Sequence, residues 1–161
     1  MAITHDGGMR ALDPRQVKLL RLRTFLFGLA LTGVAAFADL IVSRETERSF
    51  GLIAGAALVL AILLFLWIPT RRYRAWAYRM DEEELRIHSG LLIRASTIVP
   101  FGRVQHTDIV RGPLQRQFGL ASLVLHTAGT RSSATLLPGL DAEEAERMRD
   151  HVRTRIREDL A

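Results

Sequence analysis

The chain has 161 residues, is 48% hydrophobic and has a mean hydropathy of +0.13, which is more apolar than a water-soluble domain of this length requires. It contains no cysteine, which excludes a disulfide framework, a thiolate metal site and a cysteine nucleophile. The formal net charge is +5, but beyond the apolar segments the basic residues are dispersed among acidic ones, without the basic cluster of a nucleic-acid-binding protein. The composition therefore predicts a membrane protein with no nucleic-acid partner.

The first apolar run covers residues 24–42, TFLFGLALTGVAAFADLIV, and follows a basic N-terminal segment, residues 1–22. As a helix this run is long enough to cross a hydrocarbon core of roughly 30 Å. Asp39 lies near its end, where a carboxylate can reach the headgroup region. We predict a first membrane span here, with Asp39 directed to the membrane surface rather than acting in a proton relay.

The second apolar run, from Ser49 to Thr70, contains no charged residue. As a helix it spans about 33 Å, which matches the thickness of the hydrocarbon core. Trp67 and Pro69 lie where an interfacial aromatic and a helix stop are expected. The sequence therefore predicts a second span over residues 49–69, and residues 23–70 together form a transmembrane helical hairpin.

The positive charge flanks the two outer ends of this hairpin. Lys and Arg residues precede the first span and follow the second, whereas the connecting loop SRETERS balances two arginines with two glutamates. By the positive-inside rule both termini are predicted to be cytoplasmic. The basic residues after the second span are candidate contacts with the surface of the lipid bilayer: Arg71, Arg72, Arg74 and Arg79.

Residues 71–161 carry short, alternating apolar runs that are typical of β-strands. The predicted strand runs are YRAWAYRM (73–80), ELRIHS (84–89), LLIRASTIVP (91–100), RVQHTDIVR (103–111), LASLVLHTA (120–128) and ATLLP (134–138). GPLQRQFG (112–119) is predicted to be a turn with one helical turn, and Asp141 opens an amphipathic helix whose first turn is acidic and whose last turn is basic. The predicted fold class is a two-helix transmembrane hairpin followed by a small antiparallel β-barrel or sandwich with a C-terminal helix, like a pleckstrin-homology (PH) domain, with residues 71–161 as a cytoplasmic domain.

One segment carries a more specific resemblance. Residues 99–129, VPFGRVQHTDIVRGPLQRQFGLASLVLHTAG, resemble the signature of the bacterial PH-like, membrane-flanked (YdbS-like) family. The resemblance implies a multi-pass protein of the bacterial plasma (inner) membrane that works with itself or with a larger membrane relative. It implies no cofactor, no metal and no defined enzymatic activity.

The signature positions are interpreted as architectural rather than chemical. Gly112 and Pro113 are expected to end a strand, Phe118 to close one end of the barrel with its ring inside, and Gly119 to relax the backbone into the next strand. Gly129 is expected to form a hairpin turn. The signature positions are Pro100, Arg103, Gln105, His106, Gly112, Pro113, Leu114, Arg116, Phe118, Gly119, Leu120, His126, Thr127 and Gly129.

Two further kinds of site have less support in the sequence. His106, Asp108 and His126 suggest a His-Asp pair or a two-histidine metal site, but no recognised catalytic or metal motif accompanies them, so structural histidines are favoured. A PH-like fold also suggests phosphoinositide binding. Here, however, residues 81–84 are DEEE, and this loop would repel an anionic headgroup.

Three functional hypotheses follow. The leading one is a non-enzymatic interaction or scaffold module in a membrane complex. The second is a module that binds or senses a lipid or a small apolar ligand at the membrane surface. The third, a hydrolase that uses His106 and Asp108, has the least support.

Overall fold

In the computed structural model, residues 4–5, 8–45, 51–128 and 134–159 are described. The chain forms two compact units, one of Met1–Gln16 with Arg72–Ala161 and one of Val17–Arg71. In chain order the elements are β1 (Thr4–His5), β2 (Met9–Ala11), α1 (Arg15–Glu45), α2 (Leu52–Arg74), β3 (Ala77–Met80), β4 (Glu84–Ser89), β5 (Ala95–Pro100), β6 (Val104–Val110), α3 (Pro113–Gln117), β7 (Leu120–Thr127), β8 (Ala134–Asp141) and α4 (Ala142–Asp159).

The unit Val17–Arg71 contains most of α1 and α2. By length and composition, the ranges Arg15–Ser43 and Leu52–Arg74 can each cross a membrane. The two helices approach closely at Gly28, where an added Cβ would lie 3.0 Å from the Cβ of Ala61. A small residue at this position lets the helix backbones pack against each other.

Asp39, whose direction toward the membrane surface stays a prediction, contacts the start of the second apolar helix. Its side chain is buried, with 3% exposure, and its Oδ2 accepts hydrogen bonds from the backbone N–H groups of Gly51 (2.7 Å) and Ala54 (3.4 Å). These donors lie at the start of α2, where backbone N–H groups lack partners within the helix. Asp39 therefore caps the second helix from the first, which explains an ionisable residue in an apolar run.

Pro69 was predicted to stop the second helix, and this is wrong. The helix α2 continues through Pro69 to Arg74. A proline removes one N–H donor, and apolar helices tolerate that loss because the turns on either side keep their own hydrogen bonds. Residues 73 and 74, expected in a strand, are therefore helical, and the strand β3 begins only at Ala77.

The unit Met1–Gln16 with Arg72–Ala161 is built on two antiparallel sheets. One has the strand order β1-β2-β3-β4-β5 and the other the order β6-β7-β8. The predicted antiparallel, PH-like pattern with a C-terminal helix is confirmed, but the described strands do not join into a closed barrel. The sequence analysis assigned no strand before the first span, yet Arg10 and Ala11 pair with Tyr78 and Ala77 of β3.

The core lies between the two sheets and α4, which packs against β6, β7 and β8. In β4 the alternation places Leu85 and Ile87 inside, as period-two patterning predicts. In α4 the buried residues are Ala145, Met148 and Val152, which share one helix face. The amphipathic C-terminal helix was predicted, and its apolar face covers the sheets.

The beginning of α1 is tied to the corner between β8 and α4. Asp13 Oδ1 accepts a hydrogen bond from the backbone N–H of Arg15 at 2.7 Å, and the N–H of Asp13 donates to the carbonyl of Gly139 at 2.9 Å. The guanidinium of Arg15 bridges the carboxylates of Asp13 and Asp141. This network of ion pairs joins segments far apart in sequence into one unit, and the sequence analysis did not identify it.

Candidate functional site

The middle of the signature, residues 112–119, lies in the connection from β6 to β7. Gly112 and Pro113 follow the end of β6 and begin α3, as predicted, and the N–H of Gly112 donates to Gln115 Oε1 at 2.9 Å. The same side chain donates from Nε2 to Ser122 Oγ at 2.8 Å, in a buried position. Gly119 has φ +66°, which glycine adopts readily. The predicted turn is confirmed, and Gln115, which the sequence analysis did not single out, holds it together.

Most signature side chains are not part of the core. Among the signature positions that the structure describes, Leu120 is buried and the others are half-buried or exposed. Gly129 lies outside the described residues. The exposed or half-buried members are Pro100, Arg103, Gln105, His106, Gly112, Pro113, Leu114, Arg116, Phe118, Gly119, His126 and Thr127.

The prediction that Phe118 closes the end of a barrel with its ring inside is wrong. Phe118 is half-buried and is not a member of the core cluster. The most buried aromatic of the core cluster is Phe101, with 1% exposure, and its ring meets the imidazole of His151 edge-on at a centroid distance of 5.9 Å. Phe118 is the C-cap residue that follows the short α3.

The candidate membrane-surface arginines divide into two groups. Arg71, Arg72 and Arg74 are exposed in the last turn of α2, and the guanidinium carbon of Arg71 lies 4.3 Å from the ring centroid of Trp67. This cation–π contact fits an interfacial aromatic followed by positive charge. Arg79 instead lies on β3, where its Nε donates to Asp81 at 2.7 Å.

His106, Asp108 and His126 come together on paired strands. His106 of β6 lies directly opposite His126 of β7, and their rings stack at 4.1 Å with an interplanar angle of 11°. Asp108 Oδ2 lies 3.2 Å from His126 Nε2 and 3.9 Å from His106 Nε2. The side chains are 60%, 58% and 29% exposed for His106, Asp108 and His126. Solvent can therefore reach the whole cluster.

The hairpin between β4 and β5 presents an apolar tip that the sequence analysis did not identify as a site. Leu91, Leu92 and Ile93 are 46%, 94% and 84% exposed. The turn is tight at Gly90, which has φ +121° and where an added Cβ would lie 1.8 Å from the carbonyl oxygen of Ile93. Only glycine fits such a turn, so the backbone holds these apolar side chains outward.

The outer edge of the five-stranded sheet continues from this tip. β5 is the last strand in that sheet, and within the described part of the chain its other side pairs with no strand. Ile98 on this strand is 54% exposed. We call Leu91, Leu92, Ile93 and Ile98 the apolar edge. Unpaired strand edges with apolar side chains are places where another chain can add.

The two apolar helices and the PH-like fold agree with the comparisons to known proteins. The family model described as "Bacterial PH domain" matches residues 24–156. The UPF0699 transmembrane protein YdbS of Bacillus subtilis (strain 168) is 37% identical over 102 residues, which cover 63% of this chain and 62% of the relative. The UPF0699 transmembrane protein YdbT of the same organism is 30% identical over 120 residues, which cover 72% of this chain and 23% of the relative. No solved structure matches. With most of its length matched by the family model, this chain belongs to the bacterial PH domain family, and its similar relatives are transmembrane proteins.

Proposed function

We propose that this protein is a non-enzymatic, multi-pass membrane protein whose PH-like domain is an interaction module in a membrane complex. The partner is another copy of the chain or a larger membrane relative with the same kind of domain. The observation that carries the proposal is the apolar edge, whose most exposed members are Leu92 at 94% and Ile93 at 84%.

The physical reason is the free energy of burial. Covering an exposed Leu or Ile side chain recovers about 1.5 to 3 kcal/mol. Leu92 and Ile93 are adjacent and follow the tight turn at Gly90, so one partner surface can cover both side chains. The tip is therefore suited to bind a complementary apolar surface.

The strand edge makes another copy of the domain the first partner to test. Within the described residues no strand pairs with the outer side of β5, and two identical edges can pair antiparallel across a two-fold axis. Such a contact places the apolar side chains of both copies beside the paired strands. A larger relative that carries the same edge offers the same chemistry.

Crosslinking in native membranes tests this proposal. Because the chain has no cysteine, Leu92→Cys and Ile98→Cys each create a single reactive site for a short bis-maleimide. We expect crosslinked dimers, or an adduct with a relative identified by mass spectrometry. Glu143→Cys on α4, where the native side chain is 85% exposed, is the matched control and should give no such product. Recovery of monomer alone from Leu92→Cys and Ile98→Cys would refute the proposal.

A second candidate is contact of the same tip with the bilayer surface or with a lipid. It is favoured by Arg94, which directly follows two highly exposed apolar residues, since interfacial segments combine apolar and basic side chains. An environment-sensitive fluorophore on Leu92→Cys, in nanodiscs that hold spin-labelled lipids, separates the two candidates. Quenching by the lipid label supports the bilayer, and a blue-shifted emission without lipid quenching supports a protein partner.

The proposed topology places both termini in the cytoplasm and the protein in the plasma (inner) membrane. The support is the distribution of Lys and Arg around the two apolar helices. A reporter fused after Arg74 should be active only as a cytoplasmic reporter, and one inserted at Thr46 only as an external reporter. The reverse pattern would overturn this topology.

A further inference from the structure

We infer that His106, Asp108 and His126 form a binding site for a divalent transition-metal ion of the zinc type. The side chains come from two paired strands, and each offers one ligand atom. The three atoms all lie within 4.8 Å of one another. The site is independent of the apolar edge and of the proposed partner.

The ligand spacing is close to what zinc requires. Zinc binds imidazole nitrogen and carboxylate oxygen at about 2.0 to 2.2 Å, so two ligands of a tetrahedral ion lie roughly 3.4 Å apart. Here Asp108 Oδ2 lies 3.2 Å from His126 Nε2 and 3.9 Å from His106 Nε2. Both distances lie close to this separation, and rotation about the side-chain bonds can adjust them.

The register of the strands makes this arrangement possible. His106 and His126 are direct cross-strand partners, and Asp108 follows two residues later on the same strand face. The two imidazole rings stack at a centroid distance of 4.1 Å. The stacked pair must tilt for its nitrogens to converge, which rotation about the side-chain bonds permits.

The donor set selects the kind of ion. Two imidazoles and one carboxylate suit Zn²⁺ and its borderline neighbours such as Co²⁺ and Ni²⁺, whereas Ca²⁺ and Mg²⁺ prefer oxygen ligands throughout. Three protein ligands leave a fourth position for water or for a group from another molecule.

The surroundings limit the affinity. His106 also lines a cavity of about 350 Å³ with Arg149, Arg153 and Arg157 of α4, and their positive charge disfavours a nearby cation. The carboxylate of Asp108 is 58% exposed and therefore well solvated. We expect an affinity in the micromolar range rather than the tighter binding of an enclosed structural zinc site.

The test uses the full chain in nanodiscs, purified without a histidine tag and treated with a chelator. Calorimetric titration with Zn²⁺ should give one equivalent per chain, and Co²⁺ should give the visible absorption of a tetrahedral nitrogen and oxygen site. Asp108→Asn, which preserves the shape of the side chain, should weaken Zn²⁺ binding at least about ten-fold, and His106→Ala and His126→Ala should do the same.

His88→Ala is the matched control because His88 is an exposed histidine on a strand of the other sheet, and it should bind Zn²⁺ like the wild type. Amide exchange of the β7 strand, measured for every variant, separates a lost ligand from a lost fold. Absence of Zn²⁺ binding to the wild type at about 100 μM would overturn the inference. So would equal binding by the wild type and by the folded Asp108→Asn and His126→Ala variants.

Discussion

The contrast between Phe101 and Phe118 gives the sharpest test of the fold. Phe101 is 1% exposed within the core cluster, whereas Phe118 is half-buried outside it. Truncating a fully buried Phe to Ala typically costs about 3 to 5 kcal/mol, out of a total stability of about 5 to 15 kcal/mol. Phe118→Ala should cost only about 1 kcal/mol, since a half-buried side chain leaves no enclosed cavity.

Hydrogen exchange of the full chain in nanodiscs measures this difference. The β7 strand, Leu120–Thr127, lies in the centre of its sheet, so its amides exchange through opening of the domain. Because about 1.4 kcal/mol corresponds to a factor of ten, Phe101→Ala should speed their exchange by about 100-fold to several thousand-fold. Phe118→Ala should speed it by less than about ten-fold, and Phe101→Leu, which keeps most of the volume, should lie between them. Equal effects of the two alanine variants would refute the assignment of the core aromatic.

Three further predictions follow from individual contacts. Asp39→Ala should raise the exchange rate of the Gly51 and Ala54 amides by the equivalent of about 0.5 to 2 kcal/mol. Asp39→Asn should restore most of the protection because the amide oxygen still accepts. Burial by itself raises the pKa of Asp141, but hydrogen bonds from Arg15 and from backbone N–H groups outweigh it and hold the pKa below its ordinary value. The stabilisation from Asp141 is therefore complete well above about pH 4 and is lost as the pH falls through the lowered pKa. In a denaturation series over acidic pH, the free energy of unfolding should therefore decline less for Asp141→Asn than for the wild type. Gly90→Ala should lower the melting temperature, measured by differential scanning fluorimetry, because the new Cβ clashes with the backbone; an unchanged value would show that the turn is not as tight as described.

Local patterns account for most of the elements that were predicted correctly. The run ELRIHS at residues 84–89 is β4 in full, because its alternation has period two and one face of it is buried. The strands after residue 103 and the C-terminal helix were also found, as was the turn at Gly112 and Pro113. In each case the physical cause lies in neighbouring residues, so it can be read from the chain.

The errors have causes that lie outside the local sequence. Pro69 resembles a helix stop, but the apolar residues before it and the helical turn after it keep α2 continuous. Met9–Ala11 is too short to be recognised as a strand, and it forms one because β3, far away in the sequence, offers a partner. Phe118 and Phe101 differ little in their local sequence signals, and only the packing of the two sheets and α4 decides which ring is buried.

By itself, the amino-acid sequence determined the membrane class, the two apolar helices, the antiparallel PH-like domain and the family, because length, hydropathy, period and motif act over short distances. The tertiary structure decided what depends on distant residues meeting. It directs Asp39 to the start of the second helix, sets His106 and Asp108 beside His126, and leaves Leu92 94% exposed. Strand register and helix packing bring such groups together, and no single segment of the sequence determines either of them.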